Sequence, residues 1–276
     1  MAHTLINDKV LGDVIGAELP NALKFAPVAV VGTTLQNVAG DTIKVEKYAY
    51  IGEAQDVKEG QPIPLADLVM SEKDVTVKKK GQGVPLTDEQ VIRRGEEVVN
   101  EAKNQIKMSI ADGMDSDCYT SLKGSTLKYD NKKNILNYEA IVRATALFGE
   151  KSEMTKVLYI NPLQKAELQL DPMFTRATAM GDTVVSTGVI GEIAGCQVIV
   201  SGKVKEYTAS STKYYDNPIV IVGGLGIEMA KATVIGVDRS NKTSTSEYYG
   251  TEHFVTYIKD DTRVINVTSL STKPVA

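Results

Sequence analysis

The spacing of hydrophobic and polar positions changes period several times along this chain, and the sharpest changes fall between residues 41 and 122. From Thr42, Ile43 and Val45 alternate with Lys44 and Glu46, the pattern of a half-buried strand over 42–51. A second alternating run, Asp74-Val75-Thr76-Val77-Lys78-Lys79-Lys80, predicts its partner. Between the two, Gly52, Gly60, Pro62 and Pro64 break any regular element and predict a long exposed loop. Thr87-Asp88-Glu89-Gln90 then reads as a capping box, with the Thr87 hydroxyl and the Gln90 side chain each satisfying a backbone N–H. Ile92, Val99, Ala102, Ile106 and Ile110 follow at close to the helical period, with continuation to Cys118 or Leu122. Unbroken, this helix spans about 35 residues and roughly 50 Å. Gly95 and Gly113 each weaken it by about 1 kcal/mol, and a bend or early stop is expected near Gly113.

Residues 1–40 read as an extended arm with a short helix around 8–23. Residues 123–133 are basic and turn-rich, a hairpin or loop. A shorter helix is predicted over 138–148, stopped by Gly149. Downstream come a strand at Lys156–Ile160, a helix from Asn161-Pro162 to Leu170, short strands around a turn at 189–200, and a strand at 218–222 ended by Gly223-Gly224. Strands at 251–258 and 263–267 around Asp260-Asp261 read as a hairpin. Helices and strands alternate over 155–237, which predicts a small α/β subdomain inside an α+β chain.

Charge sharpens the picture of the loop. Residues 52–72 hold Glu53, Asp56, Glu59, Asp67 and Glu72 against Lys58 alone, a local charge of -4. The whole chain has 35 acidic and 31 basic residues in 276, so no overall cationic footprint for nucleic acid exists. Cys118 and Cys196 are far apart and predict no disulfide framework. The start of the chain has no signal-peptide pattern, and the longest apolar runs fall far short of a membrane span.

Catalytic signatures are missing where they would be legible. Only His3 and His253 are present, too few for a histidine-rich metal site or a nucleophile relay. Neither a nucleophile elbow nor a phosphate-binding Gly-rich loop ending in Lys-Ser/Thr occurs. Gly224-Leu225-Gly226 looks like half a dinucleotide fingerprint, but Met229 stands where the third glycine is needed, so a tight turn is expected. Asp112, Asp115 and Asp117 project around the long helix rather than onto one point, so a solvated face is expected instead of a metal site. No cofactor is called for.

The order of elements resembles the major capsid proteins of tailed bacteriophages, with the Hong Kong 97-type coat fold, over roughly residues 30–270. Its carriers are Gly40-Asp41-Thr42-Ile43-Lys44-Val45, Gly52-Glu53-Ala54, Glu59-Gly60, Val75-Thr76-Val77-Lys78-Lys79 and Thr87-Asp88-Glu89. Gly188-Val189-Ile190-Gly191-Glu192-Ile193-Ala194-Gly195, Val198-Ile199-Val200, Val237-Asp238-Arg239 and Tyr248-Tyr249-Gly250 complete them. The resemblance implies an N-terminal arm (1–40) and an extended loop hairpin (41–86) that overlaps a neighbouring subunit. It also implies a peripheral domain with a spine helix (87–155), an axial domain (156–237) and strands returning to the peripheral domain (238–276). It further implies hexamers and pentamers of this chain in an icosahedral shell enclosing double-stranded DNA, built in the host bacterial cytoplasm. Scaffolding, portal and decoration proteins are the implied partners. Some members of the family crosslink subunits through Lys and Asn; here Lys58 with Asn241 or Asn266 are the nominal pairs.

An acidic loop tip needs basic partners on a neighbour. Glu53, Asp56 and Glu59 on one side, and Lys78, Lys79, Lys80, Arg93 and Arg94 on the other, are the intersubunit residues this reading predicts. The basic stretch 123–133 is a further source of partners. Three rival readings are an encapsulin-like compartment that packages a cargo enzyme, an enzyme with a nucleotide or metal site near Gly223–Glu228, and a surface-displayed β-rich adhesion protein, which the missing signal-peptide pattern disfavours.

Overall fold

A computed structural model of the chain describes residues 23–32, 42–48, 70–171 and 191–271, with a few positions between 56 and 68. The helix expected around 8–23 lies almost wholly outside these residues. In chain order the elements are β1 (Ala29–Gly32), β2 (Thr42–Tyr48), β3 (Met70–Thr76), β4 (Lys78–Thr87), α1 (Asp88–Arg94), α2 (Glu96–Lys123), β5 (Leu127–Ile135) and α3 (Tyr138–Ala146). They continue with β6 (Lys156–Ile160), α4 (Pro162–Gln169), β7 (Glu192–Ile193), β8 (Cys196–Val200), β9 (Tyr207–Ala209), β10 (Thr212–Ile221), β11 (Leu225–Ser240), β12 (Thr245–Ile258) and β13 (Val264–Leu270).

The long helix begins later than its sequence pattern suggests. Thr87 does form the capping box, accepting from the Gln90 backbone N–H at 3.4 Å while the Gln90 side chain accepts from the Thr87 N–H at 3.2 Å. That box starts the short α1. The chain then breaks at Gly95, whose φ of 71° is a left-handed value suited to glycine. Gly95, not Gly113, is therefore the interruption, and Gly113 sits inside the 28-residue α2, about 42 Å long. The break also explains Ile92, which starts the apolar series yet is 82% exposed. The buried stripe of α2 runs instead through Ala102, Ile106, Ile110, Met114, Cys118 and Leu122.

Two sheets flank this stripe. A four-stranded sheet has the order β1-β11-β12-β4. A seven-stranded sheet has the order β5-β13-β10-β6-β8-β7, with β9 also paired to β10. The main core lies between them: α2 and Phe25 pack on Val157, Tyr159 and Val220 of the larger sheet, and on Leu225, Ile227 and Phe254 of the smaller. A second core covers the opposite face of the larger sheet, where Leu158, Ile160, Ile219, Ile265 and Val267 meet Ile141 and Ala144 of α3 and Leu168 of α4. All five residues of β6 are buried, as the near-continuous apolar run Val157-Leu158-Tyr159-Ile160 requires of a strand covered on both faces. Each such side chain contributes about 1.5–3 kcal/mol on burial. Cys118 and Cys196 are both buried and unlinked.

Several segments are used differently from their sequence reading. The partner of β2 is β3, in the register Thr42↔Thr76 to Tyr48↔Met70, so it starts four residues before Asp74. Lys78 onward belongs to β4, which pairs with β12. Residues 127–135 are a strand parallel to β13, not a loop or local hairpin. The 251–258 and 264–270 segments do not form a hairpin either: β12 lies in the four-stranded sheet and β13 in the seven-stranded one. The crossing is fixed by Asp260, which accepts from the Thr262 N–H at 2.9 Å and from Arg263 Nε at 3.1 Å. Packing also groups β5 and α3 with the larger sheet.

Candidate assembly surface

The arm β2–β3 is a two-stranded sheet, with Lys44 Nζ 2.7 Å from Glu72 in an exposed pair across it. Beyond it, the described loop positions Ile63, Leu65 and Leu68 are 76%, 97% and 65% exposed. Asp56 and Asp67 are exposed as well. Glu53 and Glu59 lie outside the described residues.

The lysine run at 78–80 splits between the two faces of the small sheet. Lys80 and Lys78 turn toward α2. Lys80 Nζ donates to the Gly113 carbonyl at 2.5 Å and stands 2.9 Å from Asp117 Oδ2, a contact too poorly aligned for a hydrogen bond. Lys78 Nζ is 3.5 Å from the other Asp117 oxygen. Both lysines are thus engaged within their own subunit, holding β4 to the long helix. Lys79 points the other way and is exposed. Arg93 and Arg94 are exposed on α1. Arg94 also edges a groove of about 520 Å³ between β4 and α2, lined by Val84, Leu86, Val98 and Ala102.

The three aspartates of α2 diverge as expected; Asp112 is solvated, whereas Asp115 and Asp117 are withdrawn from solvent. Asp112 pairs with Lys203 at 2.5 Å and Asp117 with Lys80. Asp115 is 4% exposed and accepts from the backbone N–H groups of Lys24 (3.1 Å) and Phe25 (3.3 Å). Burial raises its pKa above the ordinary carboxylate value, against the lowering effect of those two donors. The clamp seats Phe25 on Tyr159, ring centroids 4.2 Å apart.

At the other end of α1, Arg239 holds Asp88 with two nitrogens at 3.1 and 2.7 Å, joining the helix start to the β11–β12 turn. Asn241 accepts from Arg239 Nε at 3.2 Å, whereas Asn266 is 3% exposed, which removes it as a crosslinking partner. The turn at Gly223-Gly224 leads into β11, a strand, so no helix N-terminus is available there for a phosphate. Gly226 lies under the Tyr257 ring instead, where an added Cβ would stand 2.6 Å from Cζ. Among the described residues no group of three or more His, Cys, Asp or Glu is placed to hold a metal, and no helix is long and apolar enough to cross a membrane.

What this frame offers is surface. The 52–72 loop is acidic and exposes Ile63, Leu65 and Leu68, while the ion pairs of Asp88, Asp112 and Asp117 hold elements together. The family described as phage capsid protein matches residues 71–266, most of the chain. The chain belongs to the phage capsid protein family. The capsid subunit is 29% identical over 262 residues to the major capsid protein of Staphylococcus phage phiMR11, covering 94% of this chain and 92% of that one. Its fold matches the capsid of cyanophage P-SCSP1u with a TM-score of 0.72 at 10% identity, over 91% of this chain and 89% of that one. The head of Helicobacter pylori bacteriophage KHP40 matches with 0.68 at 11% identity, over 89% and 87%. The capsid of Ralstonia phage GP4 matches with 0.67 at 11% identity, over 90% and 88%. The α+β fold is that of tailed-phage capsid proteins, and the capsid subunit is a structural protein of the virion, a major capsid protein.

Two residues of the outer sheet face escape sequence reasoning. His253 is visible as a polar position within an alternating strand, but nothing in the sequence says what flanks it. Lys231 reaches its place through a bulge in β11, which has no local sequence signature here.

Proposed function

We propose that this capsid subunit assembles with copies of itself, as hexamers and pentamers, into an icosahedral shell that encloses double-stranded DNA. In this reading the four-stranded sheet and α2 form the peripheral domain. The seven-stranded sheet with α3 and α4 forms the axial domain, around which the rings close. The β2–β3 arm with its loop, residues 42–76, overlaps the adjacent subunit, while 78–86 stay in the four-stranded sheet; contacts of this head-to-tail kind close rings when their rotation permits. Assembly takes place in the host bacterial cytoplasm, with scaffolding, portal and decoration proteins as further partners.

The observation that carries the reading is the loop at the end of the β2–β3 arm. A two-stranded sheet is marginal by itself in water. Leu65, 97% exposed and close to Ile63 and Leu68, gains nothing in a lone chain. Covered by a neighbour, the same side chains become an anchor.

Negative-stain microscopy of the chain expressed alone tests the reading. Shells, tubes or capsomer rings are the expected result. A monomer that persists at high protein concentration across salt and pH would overturn it.

A further inference from the structure

Lys79, His253 and Lys231 stand side by side on three neighbouring strands. His253 of β12 is opposite Lys79 of β4 on one side and Lys231 of β11 on the other. Side chains alternate along a strand, and Gly250, Glu252 and Phe254 of β12 share the face turned to α2. An added Cβ at Gly250 would come within 2.7 Å of Ile106 on that helix, and Phe254 is fully buried there. His253 therefore faces away from α2, and both lysines beside it are exposed. With strands about 4.8 Å apart, the lysines bracket the imidazole across roughly 10 Å.

Lys231 joins this row only because β11 is irregular. The register runs Met229↔Phe254 and then Lys231↔His253, so β11 spends one extra residue there. In an unbulged strand Ala230 would face His253, and Lys231 would oppose Glu252 on the inner face. A bulge that re-aims one side chain in this way is a device for building a surface site.

Among the described residues neither lysine has an ion-pair partner, and His253 Nδ1 is buried without a hydrogen-bond partner. Burial first, then Lys231 and Lys79, pull the imidazole pKa below its usual value, so all three groups oppose one another's charge. Like charges directly across a sheet destabilise it. In a lone subunit the row is a cost, and an anion would relieve it. The carboxylate of Glu228, on the same face, is turned instead to Tyr257, whose hydroxyl donates to it at 3.4 Å, and lies against Gly32.

We propose that Lys79, His253 and Lys231 form a carboxylate-binding site, filled in the assembled shell by the acidic 52–72 loop of a second copy of this chain. The proposal rests on the shell reading above and names the partner of its loop. Charge complementarity supports it: the loop carries -4, with Asp56 and Asp67 exposed. Of the lysine run, 78 and 80 are taken by Asp117, which leaves Lys79 for an outside partner.

Two charge-reversed proteins test it, one with Lys79→Glu and Lys231→Glu, the other with Asp56→Lys and Asp67→Lys. Neither change should lower the thermal melt of the subunit, and the row-reversed protein should melt at or above the wild-type temperature, while each alone loses about tenfold or more of its assembled fraction. A single chain carrying all four changes should regain assembly. A one-to-one mixture of the two proteins should regain capsomer rings but not closed shells, since every altered loop then meets an altered row when the two alternate. The mixture should form rings with an even number of subunits and lack pentamers, because an odd ring cannot alternate. The milder Lys79→Gln, Lys231→Gln protein should assemble less and with a weaker dependence on salt.

Normal assembly of the row-reversed protein, or no recovery in either the four-change chain or the mixture, overturns the proposal. Normal shells with reduced nucleic acid content would also overturn it and assign the row to DNA phosphates. Failure of the unaltered chain to assemble at all would count against the shell reading itself.

Discussion

Asp115 shows how one side chain can tie remote parts of this subunit together. Its carboxylate is buried on α2 and is held by two backbone N–H groups ninety residues earlier in the chain. Asp115→Ala leaves both amides without a partner and should cost about 2–3 kcal/mol, read as a lower denaturation midpoint in urea. The sign of its pH dependence follows from burial. The folded pKa is raised above the ordinary 3.8, so the folded state holds this proton more tightly than the unfolded chain. Its contribution to stability is therefore full below the unfolded value and is lost as pH rises through the raised folded one. Asp115→Asn, fixed in a neutral form, should flatten that slope. Melting temperatures of the two proteins, compared from pH 4 upward, check this: parallel curves would sink the assignment.

At the scale of elements, close approach decides which positions tolerate change. Gly250 of β12 lies directly beneath α2, where an added Cβ meets Ile106 at 2.7 Å and Ile110 at 3.2 Å. Gly250→Ala should therefore push the long helix off the sheet and destabilise by about 1–3 kcal/mol. Gly236 of β11 is just as crowded, but by the tip of the Tyr249 ring, which is 43% exposed and can swing away. Gly236→Ala should change stability by less than about 0.5 kcal/mol. Chemical denaturation of the pair separates the two cases.

The same distinction between local and remote causes explains what the sequence disclosed. The Thr87 capping box, the helix start at Asn161-Pro162 and the strand β6 were legible because each is decided by neighbours within a few residues. The break at Gly95 was not, because a glycine in a helical pattern is costly but usually tolerated. The 16-residue β11 was missed as one element because Gly224-Leu225-Gly226 read as a tight turn, although Gly226 lies in the strand under the cross-strand Tyr257 ring. The apparent hairpin at Asp260 misled for the same reason: which sheet each strand joins is set by partners far away in the chain. At the assembly surface, the acidic loop and Lys79 could be read from composition. The engagement of Lys78 and Lys80 with Asp117, and the arrival of Lys231 beside His253, depend on strand register.

For the whole molecule, the acidic loop predicts a separation between folding and assembly. Reversing Glu53 and Glu59 to lysine should leave the circular dichroism spectrum and melt of the subunit unchanged while particle yield falls, as judged by microscopy. Full particle yield from the reversed protein would remove these two side chains from the set of subunit contacts. A matching loss of thermal stability would make the effect one of folding instead.

The pairing of early strands with late ones has a consequence during synthesis. Among the described residues β4 pairs only with β12, β1 only with β11, and β5 only with β13. A ribosome needs on the order of ten seconds to travel from the first of each pair to the second. Until the last strands emerge, neither sheet can close, and α2 has no complete surface to pack against. A chain that stops short would lack β12 and β13, and with them the Lys79–His253–Lys231 row and the closed larger sheet. Chains truncated before β12 should therefore fail to fold and be absent from assembled particles, which mass spectrometry of purified particles would check.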